Sequence, residues 1–445
     1  MKKKYRSTGQ DKIIIIMAVL GIALVLLFLT FLMEGITGQT SKQEEETSAE
    51  DVITLDLVYA YQNPQWNSAM EALILEFEET YPEIDIDYEV SYEDSVYEDV
   101  LSAKIARDEL GDLVQLKTPA AYAESGLLGE ISEEVAALVT TTYTSDGTVY
   151  GVGMVESTWG ILYNRAIFEE YGLEEPETYE DFLSLCRTLK RKGITPIGVG
   201  GSDLWHMEYW VNHFFNTDVL SVDADWLTKC LAGEVSWTDE EPQQMISHLC
   251  GLFSSGYINE NWLTTTDTSL AYKMTEGEIA MIYTGPWTAA AVQKLDSEMD
   301  LGWFYLPDEE GTVYASDHYD VYWSVTTDCA QDEQKYEAAM TFLSFFYSQD
   351  VYRELCTTTY NLSLLSENEE TETMVDALME EVLDDLAGVD AAVETYIGNE
   401  ETPEGFEKRM LETVQEILSG ERTAEEGLEE IQAIWEECSG EVAIP

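Results

Sequence analysis

Residues 52–90 leave this chain little choice of architecture. The segments VITLDLVYAY and IDIDYEV alternate apolar and polar side chains with a period of two and are rich in β-branched and aromatic residues, the pattern of strands. Between them, NPQWNSAMEALILEFEETYP turns and then places apolar residues at helical spacing through Phe77, with a start expected near Asn67 or Ser68. Strand, helix and strand in that order make a βαβ unit, whose parallel sheet is buried on both faces by helices. YEDVLSAKIARDEL continues as a helix and GDLVQLK as a short apolar strand, so the first part of the chain is doubly wound α/β.

The alternation of elements persists downstream. TYTSDGTVYGVGM has Asp-Gly between two β-rich runs and predicts a hairpin. WGILYNRAIF is expected as a strand, TYEDFLSLCRTLKRKG as a helix, PIGVGG and EIAMIYT as strands. Gly285 and Pro286 then stop the extended segment, which delivers Trp287 to the end of a strand, where α/β proteins place ligands. LGWFYLP and VYWSVTT are further strands, and from Thr373 to Glu437 nearly everything has a helical pattern. No fixed-period repeat is present.

Charge excludes one class of partner. With 22 Lys and Arg against 88 Asp and Glu the formal charge is −66, a field that repels phosphate backbones and anionic lipid, so nucleic acid is not an expected partner. The N-terminus is a separate object: basic residues in 1–12 precede 21 uncharged residues from Ile13 to Met33, enough to span about 30 Å of hydrocarbon. Basic flanking predicts a cytoplasmic N-terminus, an N-terminal transmembrane helix or signal at 13–33, a flexible acidic tether at 34–51 and an exported folded part from Val52. Six scattered cysteines lack CxxC or finger spacing, which points away from zinc and leaves either one or two disulfides or buried free thiols.

Catalytic signatures are missing. The four histidines stand in no HExxH arrangement, and neither a G-x-S-x-G elbow nor a P-loop occurs; His206 and His213, seven apart, suit structural or hydrogen-bonding roles. Eighty-eight acidic residues nominate no particular glycosidase pair. Tryptophans, in contrast, sit at turns and loops. Aromatic faces stack on the apolar face of a sugar ring while nearby polar groups take its hydroxyls, and Trp66, Trp205 and Trp287 stand at expected strand ends or loops.

Four segments in order, ITLDLVYAYQNPQWNSAMEALILEFEETYPEIDIDYEV, GDLVQLKTPAAYAESGLLGEIS, YGVGMVESTWGILYNRAIFEEYGLEEPETYEDFLSLCRTLKRKGITPIGVGG and MTEGEIAMIYTGPW, resemble the extracellular solute-binding proteins of ABC sugar importers, the maltose-binding-protein-like group. The resemblance implies a two-lobed periplasmic-binding-protein-like fold of type II, with hinge and interlobe cleft. The first lobe would take residues 52–157 and 322–365, the second 158–318 and 370–445. It implies capture of a mono- or oligosaccharide, delivery to membrane permease subunits, and no catalytic residue, cofactor or metal. By position, Trp287 looks like the stacking aromatic of the second lobe, Glu156 a cleft carboxylate near the crossover, and Trp205 a contact after PIGVGG, with Asp203 and His206 beside it. His318, Asp320 and Trp323 fall where the chain returns to the first lobe. Maltose binders carry an aromatic and acidic pair after the GD strand. Here Leu116, Lys117, Thr118 and Pro119 stand instead, a departure that points away from maltodextrin and makes Lys117 a candidate partner for a hydroxyl or an acidic sugar. The apolar N-terminal span would replace the lipid anchor common in the family at a Gram-positive type of cell surface. A same-fold binder of a peptide or polyamine, an exported glycan-active enzyme, and an adhesin or sensor remain as alternatives.

Overall fold

The computed structural model describes residues 52–60, 64–91, 94–315, 318–366, 377–389, 391–392, 396–399, 401–403 and 405–440. The expected membrane span, tether and basic N-terminal segment lie outside the described residues, among which no helix is long and apolar enough to cross a membrane.

The chain runs first through β1 (Ile53–Ala60), β2 (Ile84–Ser91), β3 (Leu113–Leu116), β4 (Thr142–Ser145) and β5 (Thr148–Ser157). It then passes through β6 (Gly160–Asn164), β7 (Thr195–Gly198), β8 (Ile279–Thr284) and β9 (Leu301–Phe304). Short β10 (Tyr314–Ala315), long β11 (His318–Val325) and short β12 (Ala391–Ala392) complete the strands. Two larger sheets result: β2-β1-β3-β11-β5-β4 in the first lobe and β7-β8-β6-β9 in the second. β1 pairs in parallel with β2 from Ile53 opposite Ile84 to Ala60 opposite Ser91, as a βαβ unit requires. The helix between them, Pro64–Thr80, starts earlier than Asn67 and buries Trp66, Met70, Leu73, Ile74 and Phe77, one apolar stripe facing the sheet. Asp146 and Gly147 adopt φ of 50° and 82°, so the Asp-Gly hairpin turn joins β4 to β5 in the left-handed region it favours.

One expected element divides. WGILYNRAIF is a strand only to Asn164, because the Asn164 side chain accepts the Ile167 N–H and caps a helix over Arg165–Tyr171. β11 enters the first sheet at His318, earlier than residue 322, running antiparallel between β3 and β5. The closing helices Phe406–Ser419 and Ala424–Gly440 belong to the second lobe's core. Phe406 and Trp435 pack on Trp237 with ring centroids 5.3 and 5.8 Å away.

The lobes are joined where β5 passes into β6. There fully buried Thr158 places its hydroxyl 3.0 Å from that of Tyr305, and Glu156 and Leu362 exchange backbone hydrogen bonds of 3.2 and 2.7 Å. All six cysteines are free. Burial pushes the thiols of Cys230, Cys329 and Cys356 up to about 12, and raises that of Cys186 further.

His213, 4% exposed in the second-lobe core, is pushed down to about 3 by burial and by neighbouring His248. Its folded pKa lies below its unfolded one, so the unfolded chain binds the extra proton. Stability from this group is complete above pH ~6.5 and falls by up to ~1.4 kcal/mol per pH unit as pH drops toward 3. Denaturant melts from pH 7 to 4 should show that slope flattened in His213→Gln; equal slopes would refute the assignment.

Candidate functional site

Trp287 owes its position to the two residues before it. β8 ends at Thr284, and Pro286 supplies the fixed φ that opens the helix Trp287–Leu295. The indole folds back over Gly285: a Cβ there would stand 1.9 Å from Trp287 Cζ3. Glycine is therefore required for a steric reason, and the half-buried ring is held against the strand end. Gly285→Ala is expected to swing the indole away and weaken ligand binding about tenfold with little change in melting temperature. Calorimetric titration checks this; unaltered affinity would mean that the seat does not matter.

Around Trp287 an aromatic cluster centres on Tyr209, in the helix His206–Phe215. Its ring lies 6.3 Å from Trp287, 5.0 Å from Trp159, 5.9 Å from Trp205 and 6.1 Å from Tyr283, centroid to centroid. Tyr396 stands edge-on to Trp159 at 5.9 Å. Trp205 and Trp287 are half-buried, while Tyr209 and Trp159 are buried at 4% and 8% exposure.

Lys117 follows β3 in the first lobe and reaches across to the second. Its Nζ donates to Glu407 at 3.0 Å to each carboxylate oxygen, and to Glu208 Oε1 at 3.5 Å. Desolvation acts to lower the Lys117 ammonium; Glu208, Glu407 and Tyr396 outweigh it and hold the pKa well above the usual lysine value. Lys408 adds a second bridge between the lobes, 3.3 Å to Asp99, and Gln65 Nε2 donates to the Ala290 carbonyl at 3.5 Å.

The remaining expected site residues separate. Glu156 is half-buried beside the crossover. Asp203 is also half-buried, but its Oδ2 accepts the Asp267 N–H at 2.6 Å, and fully buried His206 lies 3.1 Å from Asp267 Oδ1; both brace the start of the helix Asp267–Thr275. Trp66 and Trp323 sit in the first-lobe core with no exposed surface to offer a ligand: Trp323 packs on Tyr59, Phe342 and Phe346. A position near a strand end says nothing about which face a side chain takes. The side chains of His318 and Asp320 lie outside the described residues. Tyr209, Glu208 and Glu407 stand outside the expected site residues. Tyr209 carried a signal, standing in the aromatic-dense stretch after Trp205, whereas Glu407 carried none.

Comparison with known proteins bears on the family and the fold. The chain is similar to an uncharacterized ABC transporter extracellular-binding protein of Pyrococcus horikoshii, 27% identical over 308 residues, 66% of this chain and 71% of that one. It is also similar to the multiple sugar-binding protein of Streptococcus mutans, 23% identical over 299 residues that cover 61% and 68% of the two chains. Among solved structures, a chitin oligosaccharide binding protein shares the fold with a TM-score of 0.77 at 21% identity, over 88% of this chain and all of that one. The family model for bacterial extracellular solute-binding proteins matches residues 63–352. From the hinge-joined sheets to that match, the chain belongs to the bacterial extracellular solute-binding protein family.

Proposed function

We propose that this protein is the extracellular substrate-binding component of an ABC importer, capturing a mono- or oligosaccharide between its lobes and delivering it to membrane permease subunits. One observation carries the reading. Half-exposed Trp205 and Trp287 converge on Tyr209, and beside them Lys117, Glu208 and Glu407 bring hydrogen-bonding groups from both lobes to one place. Apolar ring faces flanked by directed polar groups are what a saccharide requires. The name of the Streptococcus relative and the chitin oligosaccharide neighbour support the same ligand class. Lobe closure on the sugar then reports occupancy to the permease. The sugar leaves unchanged, and the apolar stretch Ile13–Met33 tethers the protein to the outer face of the cytoplasmic membrane of a Gram-positive type of cell.

The test is a thermal-shift and tryptophan-emission screen of the full chain against saccharides, amino acids, peptides and polyamines. A saccharide at one hundred times its dissociation constant adds about 2.7 kcal/mol to stability and is recovered intact. Stabilisation by a peptide or polyamine alone would overturn the ligand class, and consumption of a glycan would overturn binding as the function.

A further inference from the structure

A cavity of about 230 Å³ opens in the second lobe beyond the far end of the helix that carries Tyr209. His213 lines it, about 10 Å along that helix from His206. The volume falls below the ~300–1,000 Å³ of pockets for larger ligands, so an oligosaccharide does not suit it.

One wall is made of rings. Tyr179 and Phe214 have centroids 5.7 Å apart, His213 and Phe214 5.0 Å, Tyr179 and His213 6.3 Å. Carboxylates also line the cavity: Asp218, Asp308, Glu309 and Glu310. Two of these carboxylates are already used. Asp218 Oδ2 stands 2.9 Å from His248 Nδ1, while Asp308 Oδ1 accepts the N–H groups of Glu310 and Thr312 at 2.9 and 2.7 Å. His248 places its other nitrogen 2.8 Å from Gln244 Nε2. Exposed Glu309 and Glu310 make no ion pair among the described residues.

His213 is the unusual member. It is 96% buried, yet among the described residues its ring makes only aromatic contacts, with no hydrogen bond to either nitrogen. Buried polar groups are normally partnered, and a neutral imidazole offers one acceptor nitrogen as well as one donor. A partner from outside the chain would have to donate to that acceptor, carry positive charge toward Glu309 and Glu310, and present apolar surface to three ring faces.

We infer that this cavity is an accessory site for a small organic cation, a primary alkylammonium, whose N–H group donates to His213 while its charge faces Glu309 and Glu310. The alkyl part lies against Tyr179 and Phe214, whose rings offer it apolar surface. Among the described residues no group of three His, Cys, Asp or Glu is arranged to hold a metal ion, which favours the organic cation over a metal.

The test is calorimetric titration of the full chain with ethylammonium chloride, against potassium chloride at equal ionic strength. Saturable heat with ethylammonium alone is expected, weakened at least tenfold in Glu309→Gln/Glu310→Gln and in His213→Phe, and unchanged in Trp287→Ala. His213→Phe alters a buried position; the exposed double variant carries the test should that chain not fold. Heat matching potassium, as for a cavity holding only water, overturns the proposal. Saturation that survives the double variant does the same, since the charge would then not be held by Glu309 and Glu310. Loss of binding in Trp287→Ala would place the cation in the cleft and overturn it as well.

Discussion

Trp287→Ala should weaken saccharide binding by about 5- to 100-fold and leave the melting temperature within a few degrees of the parent. A ring face stacked on a sugar contributes ~0.5–1.5 kcal/mol, and the apolar area it covers adds a similar amount at ~25 cal/mol per Å². The sum of ~1–3 kcal/mol is up to about two decades of affinity. Stability changes little because the indole is half-exposed and rests on Gly285 instead of filling the core. Calorimetry with the saccharide that saturates the parent measures the loss. A loss below threefold would remove Trp287 from the site.

Lys117→Met is expected to act on the shape of the molecule more than on its folding. Without the ammonium, Glu208 with an 8% exposed side chain is left beside Glu407 and no counter-charge. Removing one partner of a buried pair costs ~3–5 kcal/mol, and the 31% exposure of Lys117 reduces this toward ~2. Because the lysine comes from one lobe and the carboxylates from the other, that cost falls on the closed arrangement. Solution scattering should show a larger radius of gyration in the variant, with recovery when Glu208→Gln and Glu407→Gln are added. An identical scattering curve would show that the pair does not hold the lobes. In the parent the raised Lys117 pKa keeps the pair intact below the unfolded lysine value of ~10.4; it is lost only as pH climbs through the higher folded value.

How much of this was readable in advance depended on the range of the interaction. The β1, helix and β2 unit, the Asp146-Gly147 turn and the strand that delivers Trp287 are set by neighbours a few residues apart, and periodicity reported them. Asn164 was readable too, since an asparagine before a helical run is a cap signal, but the apolar run on either side concealed it. Lys117 could be singled out by its departure from the resembled family, while its partners could not. They lie 91 and 290 residues further along the chain, and one sequence contains no record of such pairings. Trp66 and Trp323 illustrate the opposite limit. Their places in the chain were read well enough, but burial is decided by which side of the sheet a helix or neighbouring strand covers.

The free thiols bear on how the protein can be watched at work. Four of the six are buried in the two cores, with their ionisation suppressed by burial, so they resist dyes and oxidants alike. Only Cys250 and Cys438 are half-buried, and both lie in second-lobe helices. A fluorophore attached there rides with one lobe, and a single cysteine introduced on an exposed first-lobe position such as Leu75 would supply the other end of an energy-transfer ruler. The molecule thus comes almost ready for single-molecule measurement of opening and closing, with no disulfide to break and few reactive sites to remove.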